Sequence, residues 1–190
     1  MSHPMRTDID ASVPADHTKQ PKVTFLCTGN AARSVMAAAM LSALLGDNSE
    51  LAVSSAGTHV IPGQPLSVRT RNALARHDLD APWHRSHQMS AQDVARSALI
   101  VAMEPDHLRW IRRLHPQGAS KAASLKRLAN ELQPGNVADL AKRVAQLGLG
   151  EVELEAREEV VDPGAGQQAD YDKAADEISK LVDLLYSRLV

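Results

Sequence analysis

Short apolar runs alternate with longer amphipathic ones along this chain. Residues 22–26 (KVTFL) form a run short and apolar enough to be a buried strand. An unbroken Ala, Met and Leu stretch over 32–45 predicts a helix, with Gly46 as its C-terminal stop. It is apolar nearly all round, which predicts a well-buried helix. Residues 51–55 (LAVSS) and 98–103 (ALIVAM) read as further strands, and 122–128 contains a fourth short one. Helices are expected over 66–77, 90–95, 105–114 and 137–147, the third with Pro105 in its first turn. Residues 170–189 form a long amphipathic helix with Ile178, Leu181, Val182 and Leu185 on one face. Short apolar strands alternating with helices predict an α/β fold, a three-layer sandwich whose central parallel sheet has about four strands and helices on both faces. Residues 1–21 are polar and aperiodic with three prolines, and read as a disordered tail ahead of one domain over 22–190.

Composition narrows the function classes. The net charge of −2 gives no electrostatic reason to expect a nucleic acid or an anionic membrane as partner. No apolar run approaches the ~20 residues of a membrane helix, and the N-terminus lacks the apolar core of a signal peptide. One cysteine in 190 residues cannot form an intramolecular disulfide, so a cytoplasmic setting is expected. Eight histidines show no metal-ligand spacing, so neither metal nor other cofactor is expected. The acidic stretch 151–159 reads as a solvated face.

That single cysteine, Cys27, directly follows the first strand and opens the run Cys27-Thr28-Gly29-Asn30-Ala31-Ala32-Arg33-Ser34. A strand feeding a loop feeding a helix is suited to anions, because the helix N-terminus offers unpaired N–H groups and a partial positive charge. Gly29 is expected to take positive φ, and Asn30 tolerates that region too, so successive N–H groups can point inward as a nest. Arg33 brings a planar fork suited to two phosphate oxygens. Such a field favours the thiolate of Cys27, to which Ser34 can donate. A nucleophile at the base of a phosphate cradle also needs an acid for the leaving group. Asp162 is the candidate, because Pro163 holds it extended on a loop before the last helix.

These residues resemble the low-molecular-weight protein tyrosine phosphatase family. Its signature opens the first helix as Cys27 to Ser34 do here, and its late Asp-Pro is matched by Asp162-Pro163, with Tyr171 as the aromatic that ties down the final helix. Ser55-Ala56-Gly57-Thr58, His84-Arg85-Ser86, Met103 and His107 match further landmarks. The resemblance implies hydrolysis of phosphate monoesters through a phosphocysteine on Cys27, with Arg33 and the loop amides binding phosphate and Asp162 as acid, then base. It makes Asn30, Ser34 and His84 supports of the loop. Taken apart from the resemblance, His84 and His107 read as satisfied structural histidines rather than groups with direct chemistry. The resemblance implies a phosphorylated protein (phosphotyrosine) or a small phosphate ester as substrate, and inorganic phosphate or another oxyanion as loop ligand.

Some positions depart from the family pattern. Ala32 stands where many members carry a second cysteine, Ala98 where an Asp is usual, and Ala31 makes one edge of the slot small. Gly164-Ala165-Gly166 replaces the usual aromatic walls, and 116–161 is longer than typical. Two other activities fit the same cradle: arsenate reduction using an external thiol, and non-catalytic binding of phosphorylated ligands.

Overall fold

The computed structural model describes residues 20–47 and 49–190, so the expected tail, apart from Gln20 and Pro21, lies outside the described residues. Among the described residues four strands form: β1 (Lys22–Cys27), β2 (Ala52–Gly57), β3 (Ser97–Ala102) and β4 (Ala122–Ser124). They pair in parallel in the order β2-β1-β3-β4. Parallel neighbours need crossovers, and helices supply them. The helices are α1 (Arg33–Leu45), α2 (Val68–Ala75), α3 (Ala91–Arg96), α4 (Pro105–Leu114), α5 (Leu125–Glu131), α6 (Leu140–Gln146) and α7 (Gln168–Leu189).

Strand period sorts the core into two layers. Val23, Phe25, Leu99 and Val101 pack on one face with Met36 of α1, Leu128 of α5 and Ile178, Val182 and Leu185 of α7. Leu26, Ile100 and Ala102 pack on the other with Val94 of α3 and Leu108 and Ile111 of α4. This is the expected three-layer sandwich.

The differences from expectation are local and have reasons. The residue 137–147 helix splits into a 3-10 turn, Val137–Asp139, and α6, because Asn136 accepts the Asp139 N–H at 3.0 Å and starts a separate turn. α1 is not buried all round: Ser42, Ala43 and Leu44 in its last turn are exposed. The acidic stretch is not all solvated: Glu158 is 5% exposed, accepts from Ser124 Oγ at 2.5 Å and pairs with Arg127. A buried carboxylate persists because these partners replace its water; they hold its pKa below the usual glutamate value against the opposing pull of burial. No helix among the described residues is long and apolar enough to cross a membrane.

Candidate active site

Cys27 is the last residue of β1 and Arg33 the first of α1, so the intervening loop lies at the C-terminal edge of the sheet, where open α/β folds bind ligands. Its carbonyls are pinned outward. Thr58 N–H donates to Cys27 O and His59 N–H to Thr28 O, both at 2.9 Å. His84 Nε2 donates to Asn30 O at 2.9 Å, and Thr70 Oγ1 to Ala31 O at 2.9 Å. A peptide plane points its N–H opposite to its C=O, so pinning the carbonyls turns the amides inward. None of the N–H groups from Thr28 to Ala32 donates to another group among the described residues. The start of α1 has no side-chain cap and no acidic residue in its first turn. The loop is therefore a ring of unpaired donors at a positive helix end.

The left-handed residue of this loop is Asn30, at φ 50°, not Gly29. Asn30 is fully buried and bonded at every polar atom of its side chain. Its Nδ2 donates to Ser34 Oγ at 3.1 Å and to Ser55 Oγ at 2.9 Å, and its Oδ1 accepts from His87 N at 2.9 Å. Those bonds hold a conformation that its backbone alone disfavours. Ser34 Oγ, which accepts from Asn30, lies 3.0 Å from Cys27 Sγ and can donate to it when the sulfur is a thiolate. Burial lowers the His84 pKa, so near neutral pH it is a neutral ring whose Nε2 carries the donated proton.

Gly57 closes the ring from β2. A Cβ there would lie 2.5 Å from Thr28 O and 2.9 Å from Asn30 N, both backbone atoms. We expect Gly57→Ala to push the loop out of shape, costing about 1–3 kcal/mol of stability and most of the oxyanion affinity. Thermal melting with and without vanadate checks this; an unchanged vanadate-induced shift would refute it.

Arg33 is 2% exposed and oriented by protein acceptors. Nη1 donates to Glu104 Oε2 at 2.6 Å and Val160 O at 3.0 Å, and Nη2 donates to Asp162 Oδ2 at 2.8 Å. These three bonds engage three of a guanidinium's five donors, which leaves Nε–H and one Nη2 hydrogen to grip an oxyanion. Asp162 is held by a tight turn: its Oδ1 accepts from Gly164 N at 3.0 Å. The Tyr171 hydroxyl donates to Gly164 O at 2.7 Å and ties this turn to α7. Upstream, Val160 N–H donates to Met103 O at 2.8 Å, extending the segment alongside the end of β3. Asp162 and Arg33, far apart in the chain, thus meet at one mouth.

That mouth is a cleft of about 180 Å³ lined by Cys27, Thr28, Gly29, Ala31, Ala32, Arg33, Asp162, Gly164 and Tyr171. Its one aromatic among the described residues, Tyr171, is only 9% exposed.

A family model described as "Low molecular weight phosphotyrosine protein phosphatase" matches residues 22–140. The chain belongs to this family. A curated relative, the protein-arginine-phosphatase of Geobacillus stearothermophilus, is 29% identical over 171 residues, 88% of this chain and 95% of its own. The probable low molecular weight protein-tyrosine-phosphatase EpsP of Ralstonia nicotianae is 32% identical over 117 residues, 62% of this chain and 76% of its own. Among solved structures, the YwlE arginine phosphatase from Geobacillus stearothermophilus superposes with a TM-score of 0.69 at 26% identity, covering 87% of this chain and 90% of that one. The low molecular weight protein tyrosine phosphatase from T. tengcongensis gives a TM-score of 0.70 at 26% identity, covering 90% and 100%. The match at 22–140 in this family member stops short of Asp162, so the place of Asp162 rests on the geometry above.

One member of the site, Glu104, is not among the residues that the sequence motifs single out, and His107 plays more than the expected part. Glu104 holds Arg33 and lies 3.2 Å from His107 Nε2. His107, on α4, bonds Thr28 Oγ1 through the same Nε2 at 3.0 Å, while its buried Nδ1 has no partner among the described residues. It is therefore not the fully satisfied histidine that was expected. Burial first, then the Arg33 charge, pushes its pKa down to about 3, so it braces Thr28 as a neutral ring. The available signal was position: Glu104 lies just beyond β3, at the same sheet edge as Cys27 beyond the body of β1.

Proposed function

We propose that this protein is a cysteine-dependent phosphatase that removes phosphate from phosphorylated protein side chains through a phosphocysteine intermediate. The observation that carries the proposal is the inward ring of unpaired amides around Cys27, with Arg33 and Asp162 at its rim. Phosphate binds with its oxygens on the loop amides and on the two remaining Arg33 donors. Cys27 Sγ, as thiolate, attacks phosphorus, and the bond from phosphorus to the leaving oxygen breaks. Asp162, protonated, gives its proton to that oxygen. Water then attacks the phosphocysteine, Asp162 takes its proton, and phosphate leaves with the thiolate restored. Ser34 donates to the sulfur when it carries charge.

The leaving group admits a second reading, favoured by the cleft's lining. Ala31 and Gly164 put no aromatic wall where a phenyl ring would stack, and the arginine phosphatase relative aligns along 88% of the chain. In that reading the bond broken is phosphorus–nitrogen, and Asp162 protonates the guanidine of phosphoarginine.

The deciding experiment is hydrolysis of p-nitrophenyl phosphate from about pH 4.5 to 8 with chelator present, followed by kcat/KM on phosphotyrosyl and phosphoarginyl peptides. Asp162→Asn is expected to lower kcat by about 10²-fold and to remove the fall in rate with rising pH that a general acid imposes. Wild-type activity no greater than that of Cys27→Ser would overturn the enzyme reading. Thiol-dependent turnover of arsenate would then point to reduction, and vanadate binding without turnover to a binding module.

A further inference from the structure

Beside the phosphate loop lies a second cleft, of about 390 Å³, and the two share Thr28. Thr58 and His59 form its near wall, fixed to the loop by the bonds to Cys27 O and Thr28 O. Glu104 and the helix it precedes, α4, form the far wall, α4 contributing His107, Arg109 and Arg113. A polypeptide whose phosphoryl group sits over Cys27 reaches this cleft with a neighbouring residue by crossing Thr28.

Among the carboxylates and guanidiniums lining the cleft, all but one are matched. Glu104 takes Arg33 as partner at 2.6 Å. Asp106 takes Arg109 at 2.5 Å. His107 is neutral, as argued above. Arg113 is exposed and makes no ion pair or hydrogen bond among the described residues. An unpaired guanidinium at the rim of a concave surface is the chemistry that recognises a carboxylate. A basic group entering there would instead meet Arg113 with no unmatched carboxylate to receive it.

We propose that this cleft is a substrate subsite for an acidic side chain next to the phosphorylated residue, with Arg113 as its specificity-determining cation. The proposal rests on the phosphatase reading and adds to it a preference among phosphoproteins. Arg113 touches none of the reacting atoms, so a small aryl phosphate does not engage it.

The test uses three phosphotyrosyl peptides that differ only in having Glu, Gln or Lys on both sides of the phosphorylated residue, with p-nitrophenyl phosphate as the flank-free reference. Wild type is expected to favour the Glu peptide over the Gln peptide by about fivefold in kcat/KM, the range of one exposed ion pair, and over the Lys peptide by more. Raising salt should shrink the preference. Arg113→Lys should keep it, Arg113→Ala abolish it, and Arg113→Glu reverse it, all with p-nitrophenyl phosphate rates within about twofold of wild type. Equal kcat/KM on the three peptides in wild type, or the same order in Arg113→Glu, would overturn the subsite. A wild type inert on p-nitrophenyl phosphate would overturn the phosphatase reading instead. Calorimetric binding of the same peptides would then decide the subsite by the same order of affinity.

Discussion

Cys27→Ser is expected to lower turnover of p-nitrophenyl phosphate by at least about 10⁴-fold while the protein still folds. The size follows from what surrounds the sulfur. Ser34 Oγ, held by Asn30 at 3.0 Å from the sulfur, can donate to a thiolate there, and the loop amides are donors as well. Nothing in that ring can take a proton from the attacking atom. The nucleophile must therefore ionise by itself, with the donors and the helix dipole stabilising the charge. A thiol ionises far more readily than a hydroxyl. The replacement changes one buried atom, so melting temperature should hardly move and vanadate should still bind. Phosphate release close to the wild-type rate would remove Cys27 from the mechanism and leave the cradle as a binding site. Loss of vanadate binding would mean that the loop itself had collapsed, and activity would then say nothing about the nucleophile.

The second large effect is expected for Arg33→Ala, on the order of 10³-fold in kcat/KM. Two donors are lost from the oxyanion, and the positive charge facing it disappears. Stability should fall too, by about 2 kcal/mol, because Glu104 and Val160 O lose the donor that satisfied them. Arg33→Lys separates the two consequences. It keeps a charge near Glu104 and should recover part of the stability, but a single ammonium cannot serve Glu104, Val160 O, Asp162 and an oxyanion in fixed directions. Its activity is expected to remain close to that of Arg33→Ala. Near-wild-type kcat/KM in Arg33→Lys would show that charge alone, without the fork, does the work.

The fold was largely legible because burial on both faces imposes a visible pattern. Strands β1 and β3 are nearly continuous apolar runs, as a covered parallel sheet requires, and α4 announced itself through Pro105. Strand β4 spans only Ala122–Ser124, too short to carry a period, and was visible only as a rough location. The charge pattern of 151–159 suggests a solvated Glu158; its burial depends on Ser124 and Arg127, which chain distance hides. Gly29 was expected to take the left-handed turn on propensity alone. Asn30 takes it because tertiary bonds to Ser34, Ser55 and His87 over-determine its position.

The layered α/β plan and the identity of the nucleophile loop follow from local sequence. Both are written in local patterns: strand run, loop, helix start, and a cysteine with an arginine at fixed spacing. Tertiary structure alone decided how that loop becomes a cradle. Its carbonyls are turned outward by Thr58, His59, Thr70 and His84 from three separate segments. Arg33 is aimed by Glu104 and Val160, and Asp162 is brought to it by a return of the chain along β3 and a turn fixed by Tyr171. Hydrogen bonds are short-range and directional, so their partners are settled only when packing sets the distances.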